Sequence, residues 1–426
     1  MKFKKEFLIT TLLSLTSTSH AFDWFVDPHF TVTERYTDNL RLLVKPTRDN
    51  LITTLTPSMH FGYLADNNEL KGSFLWNQYL YHGESTLDFS EKIVNLNHAF
   101  TADRWRTNVT GRYAIESTIT TQTDVNSGGF VVAQLPRTTE NIAPDITYQL
   151  TEKNSLQFGA SYLDVSFDKH PNLAFTNYTN SQLFSTLNHT YTEQLSFNLT
   201  GSYSLYDTGT NGGVTFLYNN NPLLPYQENY KQNSATTTIQ VGSQYLFDEQ
   251  TTFSATAGLR DTNSHTAYQC SGGFLVPGCP SVSTQYSSTT NGKIFSAALK
   301  RSFERGNINL SANQQLNPAS TGSQQQSTVL NASGNYEISD RWSMGISGMY
   351  QIVDVITPSR SPALFNFNRH LTTISPNVQW KWTHEVSLLL SYTYTDQYFP
   401  SSNVSAKSDS IQLQFNYQPL INRQVK

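Results

Sequence analysis

The chain is poor in charge, in cysteine and in long apolar runs, and each shortage narrows what it can be. Asp, Glu, Lys and Arg make up only 14% of the 426 residues, and the formal net charge is −4. So mild an acidity gives no reason to expect nucleic acid as a partner. Past residue 21 no apolar stretch reaches the roughly 20 residues that a membrane-spanning helix needs. Reaction motifs are missing too: there is no G-x-S-x-G, no Walker loop and no G-x-G-x-x-G. The single His-Glu pair, His384-Glu385, lacks the second His of a zinc-binding helix, and the ten His are scattered. No catalytic residue, metal site or cofactor is therefore expected.

The two cysteines, Cys270 and Cys279, share one stretch, CSGGFLVPGC. Gly272, Gly273, Pro277 and Gly278 suit a tight reversal that brings them together. A loop disulfide is the expectation, with two free thiols or a metal pair as the alternatives.

What is present is a period of two. From Leu195 the chain alternates strictly: Leu195, Phe197, Leu199, Gly201, Tyr203 and Leu205 fall on one face, and Ser196, Asn198, Thr200, Ser202 and Ser204 on the other. Such alternation means a strand with one apolar and one uncharged polar face. Before it, Leu187, His189 and Tyr191 follow the same plan, and Thr192-Glu193-Gln194 forms the turn between. This hairpin recurs about eight times, with short acidic turns at Ala65-Asp66-Asn67, Ala102-Asp103, Glu152-Lys153-Asn154, Glu193, Asp248-Glu249, Glu304-Arg305-Gly306, Ser339-Asp340 and His384-Glu385. A solvated turn-former accounts for the acidic residue in each.

The period predicts about 18 strands (16 to 18), near 29–36, 51–63, 69–81, 89–100, 105–117, 138–150, 155–167, 179–191, 195–207, 232–246, 251–262, 291–303, 307–317, 327–338, 342–354, 369–382, 386–397 and 407–417. Short turns alternate with longer connections at 118–137, 208–231 and 263–290. That asymmetry and the alternation predict an all-β fold: a transmembrane antiparallel up-and-down β-barrel of the outer-membrane type. Tyr (23) and Phe (25) are abundant, and Trp105, Trp342, Trp380 and Trp382 lie on apolar faces close to short turns, where an interfacial girdle belongs. A soluble β-sandwich would have shorter strands, and a β-helix much shorter repeats.

The N-terminus has its own pattern. Lys2, Lys4 and Lys5 precede an apolar run, Phe7 to Leu15, and the small-x-small sequence Ser19-His20-Ala21. This predicts a secretory signal peptide over 1–21 and a single barrel domain over 22–426. Its removal takes the net charge from −4 to −6. The last strand alternates Ile411, Leu413, Phe415 and Tyr417 with Gln412, Gln414 and Asn416, resembling the signal read by the outer-membrane assembly machinery. That machinery and outer-membrane lipids are the expected partners, in a Gram-negative outer membrane.

The polar rows predict the lumen. Gln157, Asn198, Gln240, Asn331, Asn377 and Gln412 are neutral hydrogen-bonding groups. Charge gathers on one strand, RWRTNVTGRYAIE: Trp105, Val109, Tyr113 and Ile115 face outward, so Arg104, Arg106, Arg112 and Glu116 are the pore-lining candidates. A hydroxyl-and-amide lining suits uncharged polar solutes such as sugars better than anions or fatty acids.

FTVTERYTDNLRL and the following DNLITTLTPSMHFGY resemble the start of the outer-membrane β-barrel proteins associated with PEP-CTERM and exopolysaccharide systems, the β-barrel porin 2 family. Glu34, Tyr36, Asp38, Asn39, Leu55, Thr56 and Pro57 carry the likeness over about the first 45 mature residues. The resemblance implies an outer-membrane location and a link to surface polysaccharide, which becomes a candidate partner; it transfers no functional residue. The leading reading is a passive channel for exopolysaccharide or sugars. A barrel enzyme acting on surface lipid or protein, and a structural or adhesin-like barrel with a closed lumen, are the alternatives.

Overall fold

The structure, a computed structural model, describes residues 23–45, 47–121, 134–168, 176–208, 214–217, 225–271, 283–318, 324–356 and 368–419. The signal peptide expected over 1–21 lies outside them, as does Cys279 and with it the expected disulfide. Nineteen strands run through the described residues: β1 Asp23–Thr37, β2 Asn50–Leu64, β3 Asn68–Tyr81, β4 Phe89–Thr101, β5 Trp105–Ser117, β6 Pro136–Thr151, β7 Asn154–Phe167, β8 Tyr178–Thr190, β9 Leu195–Thr208, β10 Val214–Leu217, β11 Pro225–Leu246, β12 Thr251–Ser271, β13 Ser283–Phe303, β14 Gly306–Pro318, β15 Gln324–Glu337, β16 Trp342–Val355, β17 Arg369–Lys381, β18 Val386–Phe399 and β19 Val404–Tyr417. Each pairs antiparallel with the next, except that β9 pairs directly with β11, while β10 lies only against Pro225–Glu228 of β11. Pairing of β1 with β19 closes the wall, giving the 18-stranded antiparallel barrel that the period predicts.

Two boundaries differ from the sequence reading. Pro28 suggests a lead segment before the first strand, yet β1 starts at Asp23 and pairs with β2 along its whole length, from Asp23↔Leu64 to Thr37↔Asn50. The seam with β19 runs only from Phe30↔Tyr417 to Thr37↔Ser410, so Pro28 sits where β1 has one partner and a missing N–H breaks no ladder. At the other end, β11, β12 and β13 run well past the expected 232, 262 and 291, into stretches expected as loops. There both faces are polar, and side-chain pairs such as His265 Nδ1 with Ser287 Oγ (2.8 Å) and Thr289 Oγ1 with Asn263 Oδ1 (2.7 Å) continue the ladder without an apolar face to mark it.

The pleat sorts the wall into two faces. Leu199, Val241, Leu259, Ile346, Ile411 and Leu413 are among the large apolar side chains left exposed on the outside. Among the described residues the buried apolar clusters are small and contain Leu42, Leu87 and Ile119 from outside the wall strands. Outer aromatics gather beside the short turns, as the girdle reading predicts: Trp105 packs on Tyr148 at 4.2 Å, and Trp380 stacks on Trp342 (5.8 Å) and Trp382 (6.0 Å).

The short turns share one device. In four of them a Ser or Thr at the start accepts the N–H three residues on: Thr151 Oγ1 from Asn154 at 3.1 Å, Thr192 Oγ1 from Leu195 at 3.0 Å, Ser339 Oγ from Trp342 at 3.2 Å, Thr383 Oγ1 from Val386 at 3.0 Å. In a fifth, Asp248 Oδ1 accepts the Gln250 N–H at 2.8 Å. The hydroxyl closes the turn in the first four.

Candidate functional site: the lumen and its mouth

The inner face is a lattice of amides and hydroxyls. Asn97 Nδ2 donates to Asn108 Oδ1 (2.9 Å), Asn108 Nδ2 to Asp145 Oδ2 (3.2 Å), and Gln157 Nε2 to Asp145 Oδ1 (3.0 Å), a chain across four strands. Thr186 and Thr200 pair at 2.9 Å, and Gln412, Gln414 and Asn416 bond in series up β19. These contacts hold side chains in fixed rows while donors and acceptors remain for solute hydroxyls.

On β5, Arg106, Arg112 and Glu116 share the inward row, with Trp105, Val109 and Tyr113 exposed on the other side. Arg112 Nη2 donates to Glu116 Oε1 at 2.5 Å and Nη1 to Asn95 Oδ1 at 3.3 Å. Arg104 stands two residues before Arg106, outside β5, and is exposed. It lies in the turn before β5, where its carbonyl accepts the Gln149 N–H at 2.8 Å.

The same parity places further arginines inside that the sequence reading passed over. Arg35, Arg137, Arg260 and Arg369 lie on inward rows of β1, β6, β12 and β17, Arg260 midway along its strand and the other three near the ends that carry the longer connections. Arg260 is 4% exposed, donating to Thr262 Oγ1 (3.1 Å) and Gln326 Oε1 (3.0 Å). They escaped notice because each stands alone on its strand, whereas the β5 charges cluster.

The connection between β1 and β2 is the second missed feature. It turns inward across the mouth. Asn39, nearly fully buried, donates from Nδ2 to the carbonyls of Leu43 and Lys407, both at 2.8 Å, and accepts the Leu43 N–H at 3.0 Å. Asp38 trades bonds with β19: its N–H donates to the Asp409 carbonyl and its Oδ1 accepts the Asp409 N–H at 2.8 Å. From this base Leu40 reaches a cluster of Ile52, Tyr81, Leu87 and Ile119, while Leu42 reaches Leu371 and Ala406 on the far side of β1. The segment is thus a chord tied to both flanks of the seam. Leucine in a solvated loop is the signal that could have found it.

An ion-pair clamp fixes the chord to the β3–β4 connection. Glu84 accepts from Arg41 at 2.7 Å and from Arg48 at 2.8 Å. The Arg48 hydrogen bond, with Arg41 beside it, holds the Glu84 carboxyl below the usual carboxylate range. A carboxyl with a depressed folded value contributes stability that is present above its unfolded value, roughly 4.3, and lost as pH falls through the lower folded one. The clamp should therefore hold from neutral pH down to about 4.3 and release below it. In hydrogen exchange on the purified barrel, protection of residues 39–43 should collapse only in that acidic range, and in Glu84→Gln it should be weak at every pH. Loss of protection near pH 6 in the unaltered chain would assign the release to another group.

No protein-family model matches the chain, and no curated protein matches it in sequence. Solved structures do. The siderophore receptor PiuA from Acinetobacter baumannii aligns at a TM-score of 0.48 and 10% identity, covering 93% of this chain and 82% of that one. OccAB2 from the same organism aligns at 0.42 and 12%, covering 92% and 98%. OccK2 (OpdF) from Pseudomonas aeruginosa, solved with glucuronate, aligns at 0.45 and 8%, covering 93% and 98%. No functional inference follows from likeness at this level; the barrel described above rests on the chain's own pairing and pleat.

Proposed function

We propose that this chain is a passive outer-membrane channel for small hydroxyl-rich solutes, its outer mouth narrowed by the β1–β2 chord, and that it performs no covalent chemistry. The observation that carries the reading is the division of the wall: exposed apolar rows outside, hydrogen-bonded amides and hydroxyls inside. In a membrane the outer rows meet hydrocarbon and the inner rows meet water. The short turns then lie in the periplasm and the chord at the cell surface. The likeness of the stretch around Glu34 to Asn39 to exopolysaccharide-associated barrels points to surface polysaccharide or its fragments as the source of the solute. The tight seating of Leu40 and Leu42 favours a second reading, a structural barrel whose mouth stays shut.

Fractionation and transport separate these readings. The protein should be recovered from outer membranes and migrate faster on gels before boiling than after. Reconstituted in vesicles, it should admit neutral sugars, seen as osmotic swelling, and conduct in planar bilayers. Recovery as a soluble periplasmic protein rejects the barrel's location. A folded barrel that neither conducts nor swells vesicles rejects the channel and leaves the structural reading.

A further inference from the structure

One stretch of the lumen is more than lining. A cleft of about 380 Å³ opens on the inner wall across β2 to β6, bordered by His60, Lys71, Ser73, Asn95, Arg112 and Asn141 among others. That volume is at the lower end of the roughly 300–1,000 Å³ usual for small-molecule sites. Register explains how it forms. His60↔Ser73, Ser73↔Asn95, Asn95↔Arg112 and Arg112↔Asn141 make one continuous row across five strands. Lys71↔Asn97 and Asn97↔Thr110 make the adjoining row.

The chemistry of the border is uneven. Three basic side chains line the cleft and no acidic one does. Glu69 and Glu116, from outside it, pair with Lys71 and Arg112. Arg112 is held in place by Glu116 and Asn95, two bonds among the five N–H donors of a guanidinium, and Asn95 is itself fixed by donating to Ser73 Oγ at 3.1 Å. The Lys71 side chain, paired with Glu69, is 58% exposed, so it can turn toward a solute. A neutral solute would use the amides of Asn95, Asn97 and Asn141 and the hydroxyls of Ser73 and Thr110, and leave the cations idle.

We propose that this cleft is a binding station for a sugar acid, its carboxylate held by Arg112 and Lys71 and its hydroxyls by the surrounding amides. The assignment rests on the channel reading above and names the solute class that would pause there. A planar guanidinium suits a carboxylate, and charge-assisted hydrogen bonds are worth more than neutral ones.

Binding can be read without transport, which keeps the two ideas separable. In saturation-transfer NMR on the refolded barrel in detergent at low salt, galacturonate should give a signal, and galactose should bind about tenfold more weakly or worse. Acetate, with the charge but not the hydroxyls, should also bind weakly. Lys71→Gln with Arg112→Gln should bring galacturonate down to the level of galactose while leaving heat-modifiable migration unchanged. Lys300→Gln, on a distant strand of the same lumen, should leave binding unaltered. Equal binding of galactose and galacturonate, or retention of the preference in the folded double variant, overturns the station. If galacturonate binds with this pattern but the bilayers stay silent, the station stands and the channel reading falls.

Discussion

Leu199→Arg is expected to destabilise the folded barrel by about 2–4 kcal/mol, whereas Thr200→Arg, the next residue, should change it little. The two positions share a strand, a depth and a new side chain; only the face differs. Leu199 is exposed on the outer row of β9 and registers with Leu187 and Val241. Arginine there must sit in hydrocarbon or bend toward the interface. Thr200 bonds Thr186 across the inner face, where arginine meets water at the loss of one hydroxyl pair. The gap corresponds to about 30-fold to 1,000-fold in the folding equilibrium. Refolding into vesicles against urea, scored by gel migration, measures it. Equal losses at both positions would mean that the faces of β9 are wrongly assigned.

The second large effect is expected at the mouth. Seating Leu42 removes a leucine side chain from water, worth about 1.5–3 kcal/mol, and the partly buried Leu40 adds to it. Against this stands the backbone of Leu42, at φ 48°, a left-handed conformation that costs a leucine about 1–2 kcal/mol. Burial exceeds strain, so the chord lies down across the lumen. Leu40→Ser with Leu42→Ser removes the burial and keeps the strain, and the chord should leave its seat. Single-channel conductance should then rise severalfold. Val44→Ser, at an exposed position of the same connection, should leave it unchanged. A folded double variant with unaltered conductance would place the narrowest point elsewhere.

In the membrane location proposed above, how far the molecule could be read from its sequence depends on where the bilayer does the sorting. Inside the apolar band every second residue must be apolar, and the strands from Leu195, Trp342 and Val386 announce themselves within a residue of their observed starts. Beyond the band the constraint lapses. Asn263 and Thr289 lie on paired strands and bond at 2.7 Å, yet nothing in their neighbourhood alternates, so β12 and β13 read as loop there. The candidate site divides the same way. Parity alone places Arg106, Arg112 and Glu116 inward, and it would have placed Arg260 and Arg369 inward as well. What parity cannot give is assembly across the lumen. Leu40 meets Ile119 and Leu42 meets Leu371 only because a connection folds back through the barrel, and no local period encodes that.

The seam between β1 and β19 carries a consequence for the order of events in folding. Almost every other neighbour in the wall is a hairpin partner, joined by a turn or one connection, and can zip locally as the chain is laid down. The seam joins Phe30 to Tyr417, and bringing those residues together is the slow, entropically expensive step. Until it happens the sheet has two bare edges, which, in the proposed membrane location, hydrocarbon does not tolerate. Insertion and closure therefore have to be concerted, with β19 arriving as the closing stave. A chain stopped before Val404 would not make a slightly weaker barrel. It would make an open sheet with nowhere in the membrane to stand.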